Sequence, residues 1–166
     1  MGFLSPFILA GYAVLIPIVT GIPMMLYYAR IEKFGMLTIT SVIVAILLFI
    51  FGMGLTGAPI CIAAGLFADL IAKSSNYKHW IKMVLSYGVF SLWVSASYLP
   101  LVITADSYQQ SILEGSYAPA FVQKLFTIVT PKTYPIIIAL CFVCGVVGAF
   151  IGKAVARNNF EKAGIV

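Results

Sequence analysis

Charged side chains are scarce in this 166-residue chain, and their scarcity excludes most classes of soluble protein. Charged residues make up 9% of the sequence, whereas hydrophobic residues make up 62%. A soluble domain carries about 25% charged residues because its surface faces water. A chain with so few charges is expected to expose much of its surface to lipid, where the helix satisfies its own backbone hydrogen bonds. We therefore expect an all-α integral membrane protein.

Groups that enzymes use for catalysis are also few. Histidine occurs once, and His79 stands beside lysines and Trp80 at a span end, where it suits interface anchoring better than a catalytic triad or metal site. The sequence contains neither a G-x-x-x-x-G-K-[ST] nucleotide motif nor an H-E-x-x-H zinc motif. Cys141 and Cys144 form a C-x-x-C, but they lie among apolar residues, so we interpret them as packing residues. We expect no enzymatic activity and no metal or cofactor bound by this chain.

Five apolar segments are candidates for crossing a bilayer. Pro17 and Pro23 fall inside the first segment and predict a kink or an interruption there. The stretch from Arg30 to Gly35 leaves room only for a tight turn, so the first two segments are predicted to form an antiparallel hairpin. The five segments cover residues 7–29, 35–54, 57–72, 81–103 and 134–153.

Basic residues are distributed unevenly between the two ends of these segments. If the spans alternate in direction, eight of the ten basic residues lie on one side, and the positive-inside rule places that side and the C-terminus in the cytoplasm. The same pattern explains the net charge of +5 without a nucleic acid partner. We expect one multi-pass helical domain over residues 1–166 in a bacterial cell (plasma) membrane. The larger group is Arg30, Lys33, Lys73, Lys78, Lys82, Lys153, Arg157 and Lys162, and the smaller is Lys124 and Lys132.

Five spans with a cytoplasmic C-terminus place Met1 on the outside. Residues 1–6 nevertheless lack the basic region and the cleavage site of a signal peptide. A further helix preceding this sequence would give six spans with both ends in the cytoplasm. We therefore expect that the complete protein has a first helix that this sequence lacks.

One acidic residue, Asp69, lies inside a predicted span, where acids serve as proton relays, ion ligands or ion-pair partners. Lys73 follows four residues later, which is the spacing of an ion pair on a helix. We expect structural pairing or a subunit contact rather than a proton relay. In the last span, small residues on neighbouring turns allow another helix of this chain or of another subunit to approach closely, at Gly145, Gly148 and Gly152.

The fourth segment is the most polar and aromatic, and it leads into the only long loop, residues 104–133, which carries an amphipathic run. Such a loop is typical of a lid or binding loop, or alternatively of a surface helix on the outer leaflet. Aromatic and hydroxyl groups together suit a ligand pocket, although they also suit helix packing in lipid. We assign packing to Ser86 and Ser91. The predicted substrate-binding residues, all in the outer half, are Trp93, Ser97, Tyr98, Asp106, Tyr108, Gln109 and Gln110.

Four strings in this order resemble the Trep_Strep family. They are Lys33-Phe-Gly-Met-Leu-Thr-Ile39, Gly65-Leu-Phe-Ala-Asp-Leu-Ile71, Ser86-Tyr-Gly-Val-Phe-Ser-Leu-Trp93 and Phe160-Glu-Lys-Ala-Gly-Ile165. The similarity runs from about Gly21 to Val166. On this resemblance, the chain is identified as a member of the substrate-binding S components of energy-coupling factor (ECF) transporters.

This resemblance implies a six-helix membrane subunit that captures a micronutrient, commonly a vitamin or a metal, from outside the cell. Such a subunit docks on a transmembrane coupling subunit that is driven by two cytoplasmic ATPase subunits, so ATP is used by the partners and not by this chain. The first helix of such proteins often carries an Ala-x-x-x-Ala docking surface, which this sequence does not include.

A second interpretation comes from a different functional class. The chain could be a non-transport membrane scaffold or assembly protein that binds a protein partner through its external loop. Binding of a small solute in detergent separates the two interpretations, because only the first requires it.

Overall fold

The computed structural model describes residues 6–30, 33–51, 56–104 and 126–155, with side chains from Gly11 onward in the first range. Regular structure within these ranges is entirely helical. The helices are α1 (Pro6–Arg30), α2 (Met36–Ile50), α3 (Ala58–Lys73), α4 (Trp80–Phe90), α5 (Trp93–Ala96), α6 (Leu99–Ile103) and α7 (Tyr134–Val155).

The helices alternate in direction. Helix α2 pairs with α3 and α3 with α4, whereas α1 packs mainly on α7 rather than on α2, its partner in the predicted hairpin. Ser41 lies against Gly65 between α2 and α3, and Ser86 donates to the Ala68 carbonyl between α4 and α3. Helix α4 then packs antiparallel to α7, where the Lys153 ammonium lies 3.5 Å from the centre of the Trp80 ring. Helix α4 therefore stands in the middle of the bundle, in contact with α1, α3 and α7.

Two of the helices are long and apolar enough to cross a membrane by themselves, namely Gly11–Arg30 in α1 and Tyr134–Val155 in α7. Met36–Ile50 and Trp80–Ala96 are apolar but shorter. The predicted span 81–103 is not one regular helix, because its helical pattern is divided among α4, α5 and α6. Five membrane spans therefore remain a prediction, while the all-helical architecture holds throughout the described residues.

Helix α1 is continuous through Pro17 and Pro23, so the interruption that these prolines suggest does not occur. Proline lacks the N–H that would bond the carbonyl four residues back, and for Pro17 that carbonyl belongs to Ala13. The Cys141 thiol of α7 donates to this oxygen at 3.6 Å. A neighbouring helix thus supplies the donor that Pro17 lacks, which is how membrane helices tolerate internal proline.

Helices α1 and α7 pack backbone to backbone through glycines. A methyl group built on Gly21 would collide with the backbone of Gly148, and one on Gly152 would collide with the backbone of Gly21. Gly148 also lies against Pro17 and Ile18, so contacts advance in the same sense along both helices and the two run parallel. Of the predicted packing glycines, Gly148 and Gly152 therefore contact a helix of this chain.

Asp69 does not form the predicted ion pair with Lys73. The Asp69 side chain is fully buried, and one carboxylate oxygen accepts the Gly35 N–H at 2.8 Å, the Thr38 N–H at 3.1 Å and the Thr38 hydroxyl at 3.0 Å. The Lys73 ammonium instead lies 4.7 Å from the centre of the Phe34 ring. Asp69 thus caps the N-terminus of α2, where amides without helical partners and the helix dipole favour a negative charge.

The residues just before α2 and the turn after α3 meet at this carboxylate. Gly35, which precedes α2, has a φ of 98°, a left-handed conformation that glycine adopts without steric strain. From the turn after α3, the Tyr77 hydroxyl donates to the second Asp69 oxygen at 3.4 Å. Desolvation and the Asp69 carboxylate raise the pKa of Tyr77 above its ordinary value, so the phenol stays protonated as a donor. Asp69 therefore joins α2, α3 and the following turn.

Candidate functional site

The middle of the fourth predicted span is wound in part more tightly than an α-helix. Between Leu92 and Tyr98 most backbone N–H groups bond the carbonyl three residues back, as in Val94 N–H to Ser91 O at 3.1 Å and Tyr98 N–H to Ser95 O at 3.1 Å, around the single α-helical turn α5. A mid-helix stretch of this kind often marks a functional position, and in lipid it requires protein or a cavity around it. We call residues 91–98 the tightened segment.

Serine side chains bond back to their own helix throughout this segment, which is followed by Pro100. The hydroxyls of Ser91, Ser95 and Ser97 each donate to the carbonyl three residues back, at 2.7, 2.7 and 2.5 Å. Serine that bonds back to its own helix in this way competes with regular α-helical hydrogen bonding. Ser91 also donates to the Cys141 carbonyl at 2.8 Å, which attaches the segment to α7.

Trp93, a predicted substrate-binding residue, occupies the centre of the bundle. Its indole is partly buried and packs against each of the three groups of buried apolar side chains in the described part of the chain. One group contains Cys61 and Ala96, another Val94 and Tyr98. Three groups of buried side chains therefore meet at Trp93: the group around Tyr87 (the inner core), the group around Tyr98 (the outer core) and the group around Cys61 between α2 and α3.

The other two predicted residues of this segment differ from each other in environment. The Ser97 side chain is partly buried, and its hydroxyl bonds its own helix at the Val94 carbonyl. Tyr98 is 3% exposed and packs with Ala13, Leu101 and Cys141, so it belongs to the outer core. The structure thus places Trp93, Ser97 and Tyr98 on one short segment. Tyr98 anchors the end of this segment by packing in the core.

Tyr134, which we did not predict, also supports the tightened segment. At the start of α7 its hydroxyl donates to the Ser95 carbonyl at 3.3 Å. The preceding turn is closed by Thr133, whose hydroxyl donates to the Ile128 carbonyl at 2.7 Å. An aromatic residue immediately before Pro135 at a span end is a signal for interface anchoring, and it does not reveal this contact.

The remaining predicted substrate-binding residues lie outside the described residues, as do most residues of the long loop. These are Asp106, Tyr108, Gln109 and Gln110. Among the residues that are described, histidine, cysteine and carboxylate side chains form no cluster that could hold a metal ion.

In the inner half of the bundle, hydroxyl groups are used for packing. The Tyr28 hydroxyl lies 2.9 Å from Ser86 Oγ, which in turn donates to the Ala68 carbonyl at 2.6 Å. The Tyr87 hydroxyl donates to the Pro17 carbonyl at 2.7 Å and also contacts Thr20 at 2.8 Å. Gly145 packs directly against Ser91, so it contributes to the contact between α4 and α7. These hydroxyls are paired with protein groups, which gives them a packing role.

Comparison with known proteins gives a family. A family model described as "Hypothetical bacterial integral membrane protein (Trep_Strep)" matches residues 1–162. No curated protein and no solved structure matches the chain. The match covers nearly the whole sequence and agrees with the apolar, all-helical bundle. The chain therefore belongs to the Trep_Strep family of bacterial integral membrane proteins.

Proposed function

We propose that this chain is the substrate-capture subunit, or S component, of an ATP-driven ECF-type micronutrient importer. In this role it binds a small solute from outside a bacterial cell as a multi-pass protein of the plasma membrane. It then docks on a transmembrane coupling subunit, and two cytoplasmic ATPase subunits supply the energy. The proposal rests on the sequence resemblance together with the organisation of the outer half of the bundle.

The tightened segment is the observation that carries the proposal. Its backbone between Leu92 and Tyr98 mixes three-residue hydrogen bonds with the single α-helical turn α5, in the middle of an apolar bundle. Unwound or broken helices form solute sites in many membrane transporters, because they bring backbone polar groups to the centre of the membrane. Trp93, with its large partly buried ring, stands at the start of α5 and supplies an apolar surface for such a solute.

The predicted orientation of the chain supports an outward-facing site. The positive-inside rule orients the tightened segment towards the outside, and an importer must capture its solute there. The long loop 104–133 follows directly and is proposed to cover the site.

Docking on a coupling subunit requires a surface that the bundle itself does not use. Gly148 and Gly152 are occupied by α1, so they are poor candidates for that surface. Helix α2 is a better one, because its apolar side chains are widely exposed, including Ile43 at 53% and Phe49 at 52%. Lys73, Asp69 and Gly145 have partners within the chain and are proposed to shape the bundle that docks.

Solute binding tests the proposal directly. Thermal unfolding of the purified chain in detergent should be measured with a panel of riboflavin, pyridoxine, nicotinamide, thiamine, biotin and folate. A capture subunit is expected to melt at a higher temperature with one of them, because a ligand at a hundred times its Kd stabilises by about 2.7 kcal/mol. A protein that responds to none of the panel, yet retains a protein partner in a pull-down, would instead fit the scaffold interpretation.

A further inference from the structure

One buried hydroxyl in the described residues lacks a partner. Thr56 Oγ1 is shielded from solvent, and it is the one buried side-chain nitrogen or oxygen without a hydrogen bond in the described part of the chain. A buried hydroxyl that forms no hydrogen bond costs roughly 1–3 kcal/mol, so such groups are rare and each requires an explanation. The neighbouring serines and threonines show the contrast, because Ser95, Ser97 and Thr104 each bond a carbonyl of their own helix.

Thr56 lies beside the tightened segment. The next residue, Gly57, is buried and packs so closely on α5 that an added Cβ would lie 3.0 Å from the Ala96 carbonyl carbon. Because α3 and α4–α5 run antiparallel, Thr56 stands level with Ser97, towards the outer end. Ala58, two residues on, packs in the same apolar group as Trp93. The unpartnered hydroxyl therefore borders the segment that carries the predicted site.

We propose that Thr56 is a solute-binding residue and that its hydroxyl is the group that a captured solute satisfies. The inference rests on the proposed function and extends it to the class of solute. We limit the solute's contacts to Thr56, Trp93, Ala96 and Ser97 and leave out the predicted residue Asp106. These four residues are uncharged, and an ion buried among them would lose its hydration without a counter-charge. The solute is therefore an uncharged, ring-bearing molecule whose acceptor atom receives the Thr56 hydroxyl while its ring packs on Trp93.

Thr56→Val tests the proposal because valine keeps the shape of threonine and removes only the hydroxyl. In the absence of solute, the variant should melt about 2 °C higher than the wild type, since an unsatisfied polar group is removed. Its Kd for the uncharged probe that the wild type binds most tightly (riboflavin, pyridoxine or nicotinamide) should rise about tenfold. Thr56→Ser keeps the hydroxyl and should stay within about twofold of the wild-type Kd.

Thr40→Val is the matched control, because it makes the same change at a partly buried threonine of α2, away from the proposed site. The Thr40 hydroxyl already bonds the Met36 carbonyl at 2.8 Å, so its loss should lower the melting temperature and leave the Kd unchanged.

The possible results separate the two proposals. If the wild type binds a probe and Thr56→Val binds it equally well, the role of Thr56 is refuted while solute capture stands. If thiamine, biotin or folate binds most tightly, the inference of an uncharged solute is wrong. If Thr56→Val melts lower than the wild type, as Thr40→Val should, the hydroxyl has a structural partner and the inference fails without any solute. If no probe shifts the wild type, both the inference and the proposed capture function fail.

Discussion

Replacing Asp69 and Lys73 separately distinguishes a helix cap from an ion pair. In the structure the Asp69 carboxylate accepts from Gly35, Thr38 and Tyr77, while Lys73 lies over an aromatic ring. Asp69→Ala should therefore be strongly destabilising, whereas Lys73→Ala should be nearly neutral. An ion pair would give a different result, because removing either partner would leave a buried charge unpaired.

The magnitudes follow from the groups left without partners. Asp69→Ala removes the acceptor of two backbone N–H groups and two hydroxyls, and at about 1–3 kcal/mol for each unsatisfied group the loss is at least about 4 kcal/mol in total. Asp69→Asn keeps an oxygen in place but loses the charge, which roughly halves the strength of such bonds, so we expect a loss of about 1–2 kcal/mol. Lys73→Ala removes an exposed cation–π contact of about 0.5–1 kcal/mol.

Thermal unfolding in detergent measures these differences. For a chain of this size, a loss of 1 kcal/mol lowers the melting temperature by roughly 2–4 °C. Asp69→Ala should therefore melt about 10 °C lower than the wild type, and Lys73→Ala no more than about 3 °C lower. A Lys73→Ala protein that is destabilised as much as Asp69→Ala would refute the cap and restore the ion pair, since an unpaired buried carboxylate costs about 3–5 kcal/mol.

Three further predictions concern packing, binding and topology. Gly148→Leu should lower the melting temperature by several degrees, because the new side chain meets the α1 backbone. Gly11→Ala places its methyl group in open space and should not lower it. Equal effects of the two substitutions would contradict the glycine contact. Trp93→Ala should weaken binding of the vitamin that binds most tightly by ten- to a hundredfold. The control Lys78→Ala, on the predicted cytoplasmic side, should leave that affinity unchanged. Unchanged affinity in both variants would exclude Trp93 from the site. A cysteine introduced at Ala163 should resist a membrane-impermeant thiol reagent in intact cells; labelling there would overturn the orientation.

Periodicity and local signals in the sequence predict much of the helical framework. Helix α1 ends at Arg30 and α2 begins at Met36, and the run of apolar residues before Lys153 is the long helix α7. Small residues at Gly148 and Gly152 indicate a close helix contact, and such a contact is present. These features depend on residues near one another in the chain, so that their local pattern is sufficient.

The partners across the bundle could not be predicted from sequence. Asp69 and Lys73 have the spacing of an ion pair, but Asp69 instead meets the amides at the start of α2, more than 30 residues earlier. Unpaired amides at a helix end attract a carboxylate strongly, and no pattern in the chain shows which helix end will lie nearby. The tightened segment was missed for a related reason, since serine is common in regular membrane helices and only its hydrogen bonds reveal the change.

The parallel contact between α1 and α7 has a consequence for the order in which the bundle assembles during synthesis. Neighbouring helices such as α2 and α3 can pair as soon as both are made, because they are close in sequence. Gly21 and Gly148 are separated by most of the chain, so their contact must be among the last to form. Until α7 leaves the ribosome, the glycine face of α1 stays open to lipid or to the helices of other proteins. Premature termination before Tyr134 would leave that face permanently open, and the truncated product should be a target for membrane quality control.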